Sequence, residues 1–194
     1  MKQVPPQKAE IILQTALEQF AENGFHSSPI SQLASRAGVG VGSIYRYFKD
    51  KDELIHAVFK QVDEELQQTI THNFDSTLSD QQQHIQLVVN LIHYLKERPH
   101  EFKFLEQYYS SPYGSEEKHA KFLHAEVKEP PNPFANLFAS ISQKNQQKLP
   151  LPLYLAMTFG PVIFLLRDAL SGYVELDDAL IEQTAAASWR ALET

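Results

Sequence analysis

Residues 27–54 read SSPISQLASRAGVGVGSIYRYFKDKDEL. Glycine and proline cut this stretch into short helical pieces. Ser28-Pro29 opens the first, because serine suits a helix N-cap and proline is pre-set for the first helical position. From about Pro29 to Ala37 the residues Ile30, Leu33, Ala34 and Ala37 recur on one helical face, and Gly38 ends the run. A second short helix is predicted over about Val41–Phe48, burying Ile44 and Phe48. Asp50 and Glu53 have the spacing of a capping box and open a longer helix to about Asn73, striped by Leu54, Ile55, Val58, Phe59, Val62 and Leu66.

Working outward, the helical period continues in both directions. Upstream, Pro6–Asn23 carries Leu13, Leu17, Phe20 and Ala21 on one face, and Asn23-Gly24 supplies a left-handed stop. Downstream, helices are predicted at about 80–97, 99–110, 116–128, 133–146, 153–171 and 177–192, with Pro99, Pro112, Pro130-Pro131, Pro150 and Gly172 at the breaks. Little period-2 alternation occurs anywhere. The expected fold is therefore all-α with about nine or ten helices: an N-terminal three-helix module over residues 1–52 and a helical body over 53–194.

Two short helices joined by a glycine-containing turn form a helix-turn-helix, whose second helix fits the major groove of DNA. Ala34 and Ala37 are small where those helices cross. Gly42 lets the backbone come close to DNA, and Ser43, Tyr45, Tyr47 and Lys51 offer hydroxyl and ammonium donors to phosphate oxygens. Lys51 also stands in the first turn of the following helix, where amides and dipole favour a phosphate. Competing readings stand beside these. Tyr45 could be a core aromatic next to Ile44, Arg46 a solvated charge, and Val41 either a partner for a thymine methyl or a space-filler.

The series Ala37-Gly38-Val39, Gly42-Ser43-Ile44-Tyr45, Tyr47-Phe48, Lys51 and Leu54 resembles the TetR family of bacterial regulators. The detailed likeness covers roughly residues 8–58; the body is similar only in being helical. The resemblance implies that Ser28, Ser43, Tyr45, Tyr47 and Lys51 contact DNA and that Val41 and Arg46 face base edges. Position 40, often serine or alanine in that family, is Gly40 here, which removes one hydroxyl.

Charge is distributed accordingly. Residues 1–51 hold six basic and four acidic residues, a net of +2, and the remainder carries −9, against −7 for the whole chain. A weakly basic head on an acidic body is expected when only one end meets phosphate. With no cysteine, disulfides and thiolate metal sites are excluded, which suits a cytoplasmic location. No export signal is read in the first residues. The uncharged run Leu149–Leu166 contains Pro150, Pro152 and Pro161 and is read as a buried helix, not a membrane span. The eight histidines are scattered, His119 and His124 lie off the spacing of a helical metal pair, and there is neither a phosphate-binding glycine loop nor a G-x-S-x-G turn. No enzyme, cofactor or metal is expected.

One helix-turn-helix reads only a few base pairs, so such modules act as homodimers on palindromic half-sites. The last two helices are the expected dimer surface, through Phe164, Leu170, Ile181, Ala185 and Trp189. The middle of the chain is aromatic, and with the resemblance this suggests a pocket for a small apolar or aromatic effector, lined by His93, Phe104, Tyr108, Tyr109, Phe138 and Phe159. The family makes release of repression the expected consequence of effector binding. An alternative is a DNA-binding adaptor working mainly through a protein partner.

Overall fold

The structure is a computed structural model that describes residues 6–114, 133–144 and 150–193, and among these it holds nine helices and no strand. They are α1 (Pro6–Asn23), α2 (Ile30–Arg36), α3 (Val41–Tyr47), α4 (Lys51–Ile70), α5 (Asp80–Glu97), α6 (Pro99–Ser110), α7 (Pro133–Lys144), α8 (Leu151–Leu170) and α9 (Asp178–Arg190). The helix expected at 116–128 lies outside the described residues. Two compact units emerge: Met1–Glu65 with His100–Ser115, and Leu66–Pro99 with Glu116–Thr194.

In the first unit, α1 buries Ile12, Ala16, Leu17, Phe20 and Ala21, a stripe at helical spacing. Gly24 closes it with φ +79°, its N–H donating to the Phe20 carbonyl at 2.9 Å. The stripe expected on α4, from Leu54 to Leu66, is buried throughout. Its N-terminus departs from the reciprocal box. Asp50 does accept from the Glu53 N–H at 2.8 Å, but the Glu53 carboxylate turns one residue further back, to the Lys49 N–H.

Helix α6 belongs to this same unit. Tyr108 stacks on Phe59 with ring centroids 4.0 Å apart and planes 5° from parallel, and its hydroxyl lies 3.0 Å from His56 Nδ1. Phe104 packs between Phe20 and Phe25, and the Gln107 amide donates to the Phe20 carbonyl at 3.1 Å. Phe104 and Tyr108 are therefore core rings with no exposed surface, and their expected place in an effector pocket is corrected.

The second unit is built around α5, capped by a complete Ser79–Gln82 capping box and flanked by α7, α8 and α9. From α9, Ile181 and Ala185 are fully buried within the chain, so these two are core residues and not dimer contacts. The expectation for α8 also changes. Pro152 fits in its first turn, where no amide partner is lost, and the helix runs 20 residues, about 30 Å at 1.5 Å per residue. Only 22% of its most apolar 18-residue window is buried, so it is an open apolar helix, long and apolar enough to cross a membrane.

One buried polar pair sits in this core. The Ser188 hydroxyl lies 2.8 Å from the Ala185 carbonyl and 2.8 Å from His84 Nε2. His84 Nδ1 is buried without a hydrogen-bond partner. Burial pushes the His84 pKa down to about 4 from 6.5. The unfolded chain therefore binds the extra proton first, and stability present above pH 6.5 is lost as the pH falls towards 4, by about 3 kcal/mol in full. Urea unfolding across this range should show that loss in the wild type and its absence in His84→Leu, read as the difference between the two curves.

Candidate nucleic-acid interface

Helices α2 and α3 have seven residues each, too few to be stable alone, and each is pinned by apolar anchors. Leu33 and Ala34 anchor α2; Ile44, only 1% exposed, anchors α3, with Phe48 closing it. Between them the chain reverses through a Schellman motif. Val39 N–H reaches the Ala34 carbonyl at 2.9 Å and Gly38 N–H the Ser35 carbonyl at 3.2 Å, with Gly38 at φ +65°. A side chain at 38 would be strained by that backbone, which explains the glycine.

With Ile44 inward, the opposite stripe of α3 faces out. Val41 is 39% and Tyr45 50% exposed, so neither is a core residue. Gly42 and Arg46 are exposed beside them, while Ser43 and Tyr47 are half-buried at the edges. A Cβ at Gly42 would meet nothing within 4 Å, so the surface there is open. Gly40 stands at the N-cap with no side-chain cap, leaving the first amides of α3 to solvent or to an incoming acceptor.

The charges around the stripe differ in availability. Arg36 is tied to α1, 2.8 Å from Glu22 and 3.6 Å from Glu18; its hydrogen bond to Glu22 raises its pKa and lowers that of the carboxyl. Lys51 is half-buried, its ammonium 6.0 Å from the Phe20 ring centroid, and burial lowers its pKa. Binding an anion would reverse that shift.

Ser28 does something else. It is fully buried, its hydroxyl donating to the Gly24 carbonyl at 2.7 Å and lying 3.2 Å from that of Gln19, while Pro29 occupies the α2 N-cap. Its expected roles as helix cap and phosphate ligand are corrected: it ties the α1–α2 turn. The sequence signal for a cap was genuine, but the Gln19 and Gly24 carbonyls at the end of α1 lie within reach of the hydroxyl.

The other expected residues are dispersed. Tyr109 packs edge-on against Phe59 in the first unit. In the second, Phe138 meets Tyr154 and Phe159 meets Phe134, each pair at 5.0 Å. His93 lines a groove of about 210 Å³ with Asn73, Asn90 and Arg98, and stands 4.0 Å from Asp178. Phe164 and Leu170 are exposed on α8, and Trp189 is half-buried, its N–H on Glu193.

A sequence profile described as bacterial regulatory proteins, tetR family, matches residues 12–58, and one described as the Tetracyclin repressor-like C-terminal domain matches residues 80–193. The fatty acid metabolism regulator protein of Bacillus subtilis is 46% identical over 61 residues, 31% of this chain and 31% of that one, so the likeness spans about a third of that relative's length. An uncharacterized HTH-type transcriptional regulator of Haemophilus influenzae is 28% identical over 195 residues, covering 100% of both chains. Among solved structures, the transcriptional regulator FadR of Bacillus subtilis in complex with stearoyl-CoA has a similar fold, with TM-score 0.69 and 19% identity over 95% of this chain and 97% of that one.

Ser28→Ala should lower stability by about 1 kcal/mol, the usual worth of a buried hydrogen bond. It should leave the salt slope of DNA binding unchanged; a slope reduced by about one unit would restore Ser28 as a phosphate ligand.

Proposed function

The chain belongs to the TetR family of bacterial regulatory proteins, and we propose that it is a cytoplasmic repressor that binds a palindromic operator as a homodimer and releases it when a small apolar effector binds. The observation that carries this reading is the exposed stripe Val41, Gly42, Tyr45 and Arg46 on a helix held rigidly by Ile44. Val41 and Arg46 read base edges; Ser43, Tyr45, Tyr47 and Lys51 hold phosphates; Gly42 allows close approach.

The dimer reading rests on α8. Leu153, Phe164 and Leu170 are exposed on it, Phe164 by 66%, beside exposed Ala156 and Gly160, where small size allows close helix approach. A second copy covers this face, with Trp189 of α9 at its border. The effector reading rests on Phe138 and Phe159, half-buried rings of the second unit. A protein of similar fold holds stearoyl-CoA, whose acyl chain is apolar, and an apolar effector among these rings is the same chemistry.

Fluorescence anisotropy with a duplex from the protein's own upstream region tests the DNA reading. Tight, sequence-dependent binding should fall at least about tenfold in Tyr45→Ala/Lys51→Ala, with the salt slope reduced by about one unit for each phosphate contact removed. Binding that ignores both sequence and variant would defeat it. For the dimer, sedimentation of Phe164→Glu should give monomers where the wild type gives dimers; an unchanged dimer places the seam elsewhere.

A further inference from the structure

Lys51 stands among three carboxylates, Asp50, Asp52 and Glu53, at the start of α4. Left loose, these would compete for its ammonium and repel a phosphate brought to it. Each is held by a donor. Asp50 accepts from the Glu53 N–H at 2.8 Å and Glu53 from the Lys49 N–H at 2.5 Å, both backbone groups of the same turn. Asp52 is held differently: it accepts from the hydroxyl of Tyr113 at 2.7 Å, 61 residues away.

Tyr113 is itself firmly placed. Its ring meets Phe25 edge-on at 5.8 Å and His56 at 5.4 Å, and lies near-parallel to Tyr108 at 6.1 Å. Just beyond α6 the chain folds back: the Ser111 hydroxyl donates to the Tyr108 carbonyl at 2.6 Å and the Gly114 N–H to the Ser111 carbonyl at 3.2 Å. A Cβ at Gly114 would fall 2.5 Å from the Tyr108 oxygen and 2.5 Å from the Tyr109 Cα. Only glycine lets the chain lie this close, and the turn it permits aims Tyr113 at α4.

We propose that Tyr113 is a positioning residue for phosphate binding by Lys51, its hydroxyl holding the Asp52 carboxylate so that it does not close on the ammonium in competition with the incoming phosphate. The proposal rests on the reading of Lys51 as a phosphate ligand. Two further observations agree with it. Asp52 acts on Lys51 through space, opposing the stronger effect of burial on its pKa. The hydrogen bond to Asp52 holds Tyr113 neutral, its pKa pushed up to about 12, so it remains a donor across the working range.

The test is a double-mutant cycle on affinity for the upstream duplex, using the full chain with Tyr113→Phe, Asp52→Asn and the pair. Tyr113→Phe keeps the ring and should weaken binding about threefold to tenfold at low salt, less at high salt. In the Asp52→Asn background the same change should cost nothing, since no carboxylate is left to restrain. A merely structural role would weaken both backgrounds alike, and that result overturns the proposal, as does wild-type affinity in Tyr113→Phe. Lys51→Ala separates the two levels. If binding survives it, the phosphate reading fails and this inference with it; if binding is lost there but indifferent to Tyr113→Phe, only this inference fails.

Discussion

Two helices of seven residues carry the surface offered to DNA, and helices of that length do not hold their shape in water. Everything around them answers that constraint. Ile44 and Phe48 bury one side of α3, Leu33 and Ala34 one side of α2, and the Schellman turn at Gly38 fixes the angle between them. Behind these stands a shell of rings from α1, α4 and α6, with Phe59 and Tyr108 stacked face to face. The exposed stripe is precise only because its other side is so fully occupied.

The charges follow the same economy. A head with a small positive excess spends Arg36 on Glu22 and Glu18, tying α2 to α1. Lys51 lies partly over an aromatic ring. The attraction for a polyanion is therefore concentrated at a few groups, and the placement of nearby carboxylates matters more than the net count.

Most helices were legible because apolar period and punctuation agreed: Pro6–Asn23 and Pro99–Ser110 end where proline, glycine or asparagine says they should. The buried side of α3, Ile44 and Phe48, was legible for the same reason, while the places of Tyr45 and Val41 stayed open until the packing showed them exposed. What sequence does not encode is which partner a residue meets when two fit. Ser28 before a proline has the pattern of a cap, yet its hydroxyl serves carbonyls nine and four residues back. The rings of α6 have the composition of a pocket and pack instead with the head, through contacts more than fifty residues apart such as His56 with Tyr108. On α9, period alone made Ile181 and Ala185 an apolar stripe; that α5 covers it is a matter of tertiary packing. For α8 three prolines suggested a short buried segment, but proline in a first turn costs no hydrogen bond, and the helix came out longer and barer.

That bare helix bears on how long a lone subunit survives in the cell. Its exposed apolar residues, Leu153, Phe164 and Leu170, resemble what a partly unfolded chain shows, and cells triage such chains with chaperones and proteases. Under the proposed dimer, a newly made subunit that finds no cover for Phe164 would carry the same mark as a misfolded one. Surveillance would then remove the excess, and the pool of functional molecules would be set by encounter between subunits as much as by synthesis.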